Sequence, residues 1–306
     1  GGHPGDSERI TLQLSNLLQQ EPPFEVDLLI VTHCHSDHIG CLPNLVKLGD
    51  LRPKRSLLAD PKPGFAEQQD DDGQDDGGRI RNGFLTALQE EDRSDLDDAD
   101  LEQFLFDAGR LSDKYKAMLE ALPNVQLFTG IEDDYTELEA EFADFGLEIL
   151  GPTRAHIKKC ADLLAGTGAD AAQLDFAGLT DATGARVLMN AYRQITRQAS
   201  VDAIAEQDKA GPGAAKNDQS IVLAVGAADE GWKALLTGDM QFAKAEVNGL
   251  APMMKTLVNK VNAAGPYDFI KLPHHSSYNG LDENILQPWL DQQTSLFAHS
   301  GGVNDP

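Results

Sequence analysis

The chain is predicted to be an α/β protein in which two sets of short buried strands are covered by helices. Three observations lead there. Residues 26–32 (VDLLIVT) form an apolar, β-branched run of the kind buried on both faces of a sheet. The last hundred residues return to such runs at 220–225, 232–236, 269–272 and 295–298. Between these groups, apolar residues recur at helical spacing, most clearly over 98–122 and 185–204.

Taken in order, Ile10, Leu12, Leu14, Leu17 and Leu18 suit a short amphipathic helix that ends before Pro22-Pro23. The 26–32 strand follows, and Leu42, Leu45, Val46 and Leu48 then mark a helical face over 40–51. Residues 61–82, rich in Gly, Gln and Asp, read as a mobile loop. Leu101, Phe104, Leu105, Leu111, Tyr115, Met118 and Leu119 restore helical period. Residues 125–128 and 147–150 read as strands, and 158–206 as helices interrupted between Gly166 and Gly184. A helical stretch over 241–261 separates the strands at 232–236 and 269–272. The whole is expected to be one domain, 1–306, carrying an acidic, partly disordered and partly helical insertion at 60–122 and a helical insertion at 158–213.

Composition excludes some functions. Fifty acidic residues against 25 basic ones give a formal charge of −25, so the molecule as a whole is not attracted to a polyanion. Much of the charge is local, in Asp70-Asp71-Asp72, Asp75-Asp76 and Glu90-Glu91-Asp92. No apolar run is long enough to cross a bilayer and no secretory signal is recognisable, which points to a cytoplasmic protein without membrane contact. Three cysteines, Cys34, Cys41 and Cys160, argue for a reducing compartment. Cys34 and Cys41 read as small buried fillers beside the histidines rather than as ligands.

The chemistry lies in His33-Cys34-His35-Ser36-Asp37-His38. The chain has eight histidines, and three fall within these six residues, directly after a strand. Residues two apart at a strand end point the same way, so His33 and His35 can share one metal ion. Asp37 and His38 open a helix and turn toward a second ion.

This run resembles the His-x-His-x-Asp-His signature of the metallo-β-lactamase superfamily. Leu235-Leu236-Thr237-Gly238-Asp239 is similar to the strand whose final carboxylate bridges both metals in that family. Lys271-Leu272-Pro273-His274-His275-Ser276-Ser277 is similar to its last metal-binding segment. The resemblance implies an αββα four-layer sandwich with helical insertions, here lacking some N-terminal and C-terminal elements. It also implies two divalent ions, zinc first and manganese as the alternative. The ligands would be His33, His35, Asp37, His38, Asp239 and one of His274 and His275, with His274 preferred. Asp37 and Asp239 would also serve catalysis.

The family usually has a further histidine completing the first metal, whereas Asn217-Asp218-Gln219-Ser220-Ile221-Val222-Leu223 stands at that place. The Asn-x-x-Ser strand resembles a subgroup that includes the domain of the bacterial DNA-uptake channel protein and phosphorylcholine esterases. Ser276 replaces that subgroup's glycine. Asp218, His156 or water would have to complete the first site.

The resemblance implies hydrolysis of phosphodiesters, with DNA or RNA as the substrate. Asn217, Lys271, Ser276, Ser277 and Tyr278 are the phosphate-contact candidates by family position. Lys54, Arg55, Arg79, Arg81, Arg154, Lys158, Lys159, Arg193 and Arg197 are available to line a strand-binding groove. A small-molecule ester, lactone or phosphorylcholine esterase suits the acidic charge better, and a non-catalytic metal-binding interaction module is the third reading. Only 32 residues precede His33, and both ends look like strand-end loops. The chain is therefore expected to be a segment of a longer polypeptide, with a partner protein or missing segment completing it.

Overall fold

The computed structural model describes residues 2, 5–65, 76–88, 93–171, 182–205, 212–226 and 231–299. The acidic runs at 70–75 and 90–92, most of the 166–184 interruption and the C-terminal loop 300–303 lie outside them. The chain starts with α1 (Ser7–Leu18), β1 (Phe24–Val31), a single helical turn α2 (Ser36–Ile39), α3 (Leu42–Leu48) and β2 (Leu51–Ala59). Then follow the turn α4 (Pro61–Gly64), α5 (Asp76–Leu88), α6 (Asp98–Ala121), β3 (Val125–Phe128), α7 (Thr136–Glu141) and β4 (Glu148–Gly151). The remainder is α8 (Arg154–Ala171), α9 (Ala182–Ala205), α10 (Pro212–Asn217), β5 (Val222–Val225), β6 (Ala234–Leu236), α11 (Ala251–Ala264), β7 (Phe269–Lys271), α12 (Glu283–Asp291) and β8 (Leu296–Ala298).

The fold is mixed α/β, and the chain divides into two compact units, 1–127 with 161–216 and 128–160 with 217–306. In the first unit, β1 runs parallel to β2, with Leu29 opposite Ser56 and Val31 opposite Leu58, in a sheet of order β1-β2-β3. Phe24, Val31, Ile39, Leu45 and Leu58 are buried there with Tyr115 and Met118 of α6. The N-terminal half of α6 serves a different core, in which Leu101 and Ala108 meet Phe84 and Leu88 of α5 and Met189 and Tyr192 of α9. One long helix thus joins the sheet layer to the helices of the two insertion segments. Asp97 caps it by accepting from the Asp100 amide at 2.9 Å.

In the second unit, among the described residues, five strands form a sheet in the order β4-β5-β6-β7-β8. The β4–β5 and β5–β6 pairs are antiparallel, and β6–β7 and β7–β8 are parallel. Val222, Leu223 and Ala224 are buried along β5, as a central strand requires. Met254, Leu257 and Val261 form the buried stripe of α11.

Three expectations need correcting. The helix expected over 40–51 ends at Leu48, and Leu51 instead opens a strand over residues 51–59, otherwise unassigned from sequence, whose second half, Ser56 to Ala59, is buried. Residues 76–82, read as loop, belong to α5. The helix expected over 241–261 starts only at Ala251, because Pro252 sits at its first turn, where a missing N–H is harmless. Among the described residues no helix is long and apolar enough to cross a membrane.

Candidate metal centre

The first unit presents the histidine run at the C-terminal end of β1. Residues 32–35 leave the sheet extended, and His35 stands in β conformation (φ −82°, ψ 152°) before α2 begins at Ser36. His33 and His35, two residues apart, are 1% and 4% exposed and face one another, with His33 Nε2 3.1 Å from His35 Nδ1. Zinc–nitrogen bonds of about 2.0–2.1 Å at a tetrahedral angle would hold two such nitrogens roughly 3.3 Å apart, so this pair suits a shared cation. The His38 ring packs on His33 at 4.0 Å between centroids, and its Nε2 lies 3.3 Å from Asp37 Oδ2. Asp37 and His38 are the candidate metal ligands of this unit with partly open side chains.

The loop is held from behind. Cys34 is buried, with its sulfur against Gly64, where a methyl group would stand 2.5 Å from Sγ. Its carbonyl accepts from Lys216 Nζ at 3.3 Å, and that ammonium, 1% exposed by residue, also lies 4.9 Å from the Phe65 ring centre. Nothing local in the sequence marks Lys216, whose burial depends on α10 meeting a loop 182 positions away. None of the three cysteines forms a disulfide. Gly64→Ala should therefore push Cys34 and the histidines out of place. We expect a loss of about 1–3 kcal/mol in unfolding free energy, together with weaker metal binding, measured by denaturation and metal titration.

The second unit supplies the other predicted residues. β6 ends at Leu236, Gly238 takes a left-handed φ of +54°, and the turn presents Asp239, which is 1% exposed. Ser220 Oγ accepts from the Asp239 amide at 2.9 Å. Asp239 Oδ1 lies 3.0 Å from Lys271 Nζ, and Oδ2 lies 3.0 Å from His275 Nε2. His275, rather than the preferred His274, faces this carboxylate and is the candidate ligand here with Asp239. The reason is backbone conformation: His274, His275 and Ser276 all take left-handed φ values of 41°, 50° and 63°. Such a run persists only where surrounding contacts hold it.

His274 provides one of those contacts. Its Nε2 is 2.8 Å from Asn217 Nδ2, and its Nδ1 is 2.5 Å from Ser277 Oγ. Asn217 Nδ2 is a donor, so His274 Nε2 is its acceptor. The two polar residues of the Asn-x-x-Ser strand thus have positioning tasks within this unit, Asn217 on His274 and Ser220 on Asp239. Among the five phosphate-contact candidates, Asn217 is buried, Lys271 and Ser277 are hydrogen-bonded inside the unit, and Ser276 Oγ is buried. Tyr278 is 71% exposed.

A family model described as the metallo-beta-lactamase superfamily matches residues 2–117. That stretch includes the whole His33–His38 run and none of the segments around Asp239 and His275. No curated protein and no solved structure matches the chain. Metallo-β-lactamase superfamily proteins typically hold divalent metals, and the imidazole and carboxylate donors described in each unit are of the type that does so.

His156 and Asp218, the alternatives for completing a first metal site, lie in the second unit. The His156 ring donates to the backbone of Asp218, and both side chains are buried, with His156 Nε2 and Asp218 Oδ2 lacking hydrogen-bond partners. Burial lowers the His156 pKa from 6.5 to about 4 and pushes the Asp218 carboxyl well above its usual range. With a folded pKa below the unfolded one, His156 stays neutral in the native state while the unfolded chain takes up a proton. The His156 share is therefore a loss of stability of up to about 3 kcal/mol as pH drops from about 6.5 toward 4, opposed by Asp218, whose raised carboxyl pKa favours the folded state on acidification. His156→Gln should make the protein more resistant to acidification than the wild type in that window; an unchanged pH dependence would contradict the assignment.

Proposed function

We propose that the chain is a metal-dependent hydrolase of phosphodiester bonds, a nuclease acting on DNA or RNA, built on an αββα four-layer framework. The observation that carries this reading is the His33–His38 run: four metal-ligand side chains at the C-terminal end of a parallel strand, inside the stretch matched by the metallo-β-lactamase model. The donors the resemblance assigns are His33, His35, Asp37 and His38 in the first unit and, in the second, Asp239 with one of His274 and His275, of which His275 faces Asp239. Divalent ions supply two things when bound: a coordinated water whose pKa is lowered toward about 7, and positive charge for the oxyanion that develops on phosphorus. Asp37, with a side chain 29% exposed, orients the attacking water and accepts its proton. Tyr278 offers an exposed ring and hydroxyl to the substrate, with Lys244 Nζ 5.9 Å from the ring centre.

Preference for phosphodiesters rests on the Asn217/Ser220 pattern and its positioning of His274 and Asp239. The charge of −25 is the observation that favours a small ester instead. Several expected basic contacts are also committed, since Lys54 pairs with Asp27, Arg193 with Asp98 and Arg154 with Asp133. A panel of single-stranded DNA, RNA, a nitrophenyl phosphodiester and a lactone decides between them. Metal-dependent cleavage of nucleic acid that Asp37→Ala abolishes is the expected result. Turnover of the lactone alone would move the assignment to a small-molecule esterase, and no turnover of any of them to a metal-binding module.

A further inference from the structure

We infer that Tyr278 is a stacking surface for an unpaired nucleobase, with Lys244 beside it for the adjoining phosphate, so that the chain prefers single-stranded nucleic acid. The inference rests on the nuclease reading above and deepens it by naming the form of the substrate. All the contacts that carry it lie within the second unit.

Tyr278 follows His275 by three residues and is 71% exposed. Its backbone is nevertheless fixed. The Asn279 carbonyl accepts from the amides of both Ala243 and Lys244 at 2.9 Å, and Asn279 Nδ2 donates to Glu246 Oε1 at 2.8 Å. The Gly280 amide donates to the Ser277 carbonyl at 3.1 Å, and a methyl group on Gly280 would stand 2.8 Å from the Pro273 carbonyl oxygen. Asn279 and Gly280 are both buried. The exposed ring thus stands on a turn clamped to the 243–246 segment, so little backbone freedom is lost when a ligand settles on it.

The chemistry of the pair selects among phosphodiesters. An aromatic ring in water attracts flat π-surfaces and cations. Lys244 Nζ lies 5.9 Å from the ring centre, so a quaternary ammonium, as in a phosphorylcholine ester, would meet a positive charge beside that ring. A nucleobase is flat and neutral, and the phosphate it carries is attracted by the lysine. One group for the base and one for the backbone is the combination that holds single strands without reading their sequence. In a duplex both faces of each base are already stacked, and a base reaches Tyr278 only by leaving the helix, which costs unstacking energy. At a net charge of −25 the molecule as a whole does not attract a polyanion, so stacking, which is independent of charge, has to supply the preference.

The test is fluorescence anisotropy of the full chain with three labelled probes, in chelator so that no strand is cut. The probes are an oligodeoxyadenylate, its duplex with oligothymidylate, and a phosphodiester chain of the same length without bases. Wild-type protein should bind the single strand at least about fivefold more tightly than either of the others, the least expected of one stacked base. Tyr278→Ala and Tyr278→Leu should abolish that preference, whereas Tyr278→Phe, which keeps the ring face, should retain it. Lys244→Gln should weaken binding of all the probes and lower the slope of log affinity against log salt by about one. Tyr278 lies outside the core, so its variants should fold, which circular dichroism checks. A folded Tyr278→Ala or Tyr278→Leu variant that keeps the preference, a wild type without one, or an unchanged salt slope in Lys244→Gln would overturn the inference. Cleavage of DNA or RNA in the substrate panel would then show that the nuclease reading stands without it, and no cleavage would mean that both have failed.

Discussion

Asp239→Asn should lower metal affinity and hydrolysis at least about a hundredfold while the protein stays folded. Loss of an outer-shell partner alone costs about 10–100-fold, and a charged oxygen in direct reach of the metal is worth more. Asp239 is buried, with Lys271 on one oxygen and His275 on the other, and its amide is fixed to Ser220. Asparagine keeps the shape and an oxygen for Lys271 but removes the negative charge that draws a cation. Metal titration and hydrolysis measured on the same sample should therefore fall together, with an unchanged circular dichroism spectrum. Undiminished activity in the folded variant would remove Asp239 from the catalytic machinery.

Trp289→Ala should reduce the unfolding free energy by about 3–5 kcal/mol. Trp289 is 1% exposed on α12, meets Phe242 edge-on at 6.4 Å between ring centres, and donates from Nε1 to Asn262 Oδ1 of α11 at 3.0 Å. Phe242 follows Gln241, whose amide donates to Asp218 Oδ1, so the indole supports the loop that continues from Asp239. The neighbouring Leu290 is 45% exposed, and its replacement by alanine should change stability by no more than about 0.5 kcal/mol. Equilibrium denaturation of the two variants checks both; equal losses would mean that α12 is not packed as described.

Much of this was legible in the sequence where the signal is local. β1 and the histidine run are continuous stretches whose residue types carry their own meaning, and the strands from β5 to β8 show as apolar runs. β2 was not legible, because Arg52, Pro53, Lys54 and Arg55 fill its first half and imitate a polar boundary; its place between β1 and β3 comes from tertiary pairing. α5 was hidden by Gly77, Gly78 and Gly83, which lower helix propensity until packing against α6 and α9 compensates. The choice between His274 and His275 was not legible, because three successive left-handed residues set which imidazole faces Asp239, and no local residue pattern announces such a run. Lys216 and the Lys271–Asp239 contact depend on residues far apart in sequence, so no pattern of neighbours could reveal them.

The most direct test of the account is X-ray absorption at the zinc edge on the purified, zinc-loaded chain. Imidazole and carboxylate ligation predicts nitrogen and oxygen neighbours at about 2.0–2.2 Å, an imidazole scattering signature, and no sulfur at about 2.3 Å. Cys34 and Cys41, both buried, should leave no trace in the metal shell. A sulfur neighbour, or zinc with no imidazole around it, would contradict the claim that histidines and aspartates form the centre.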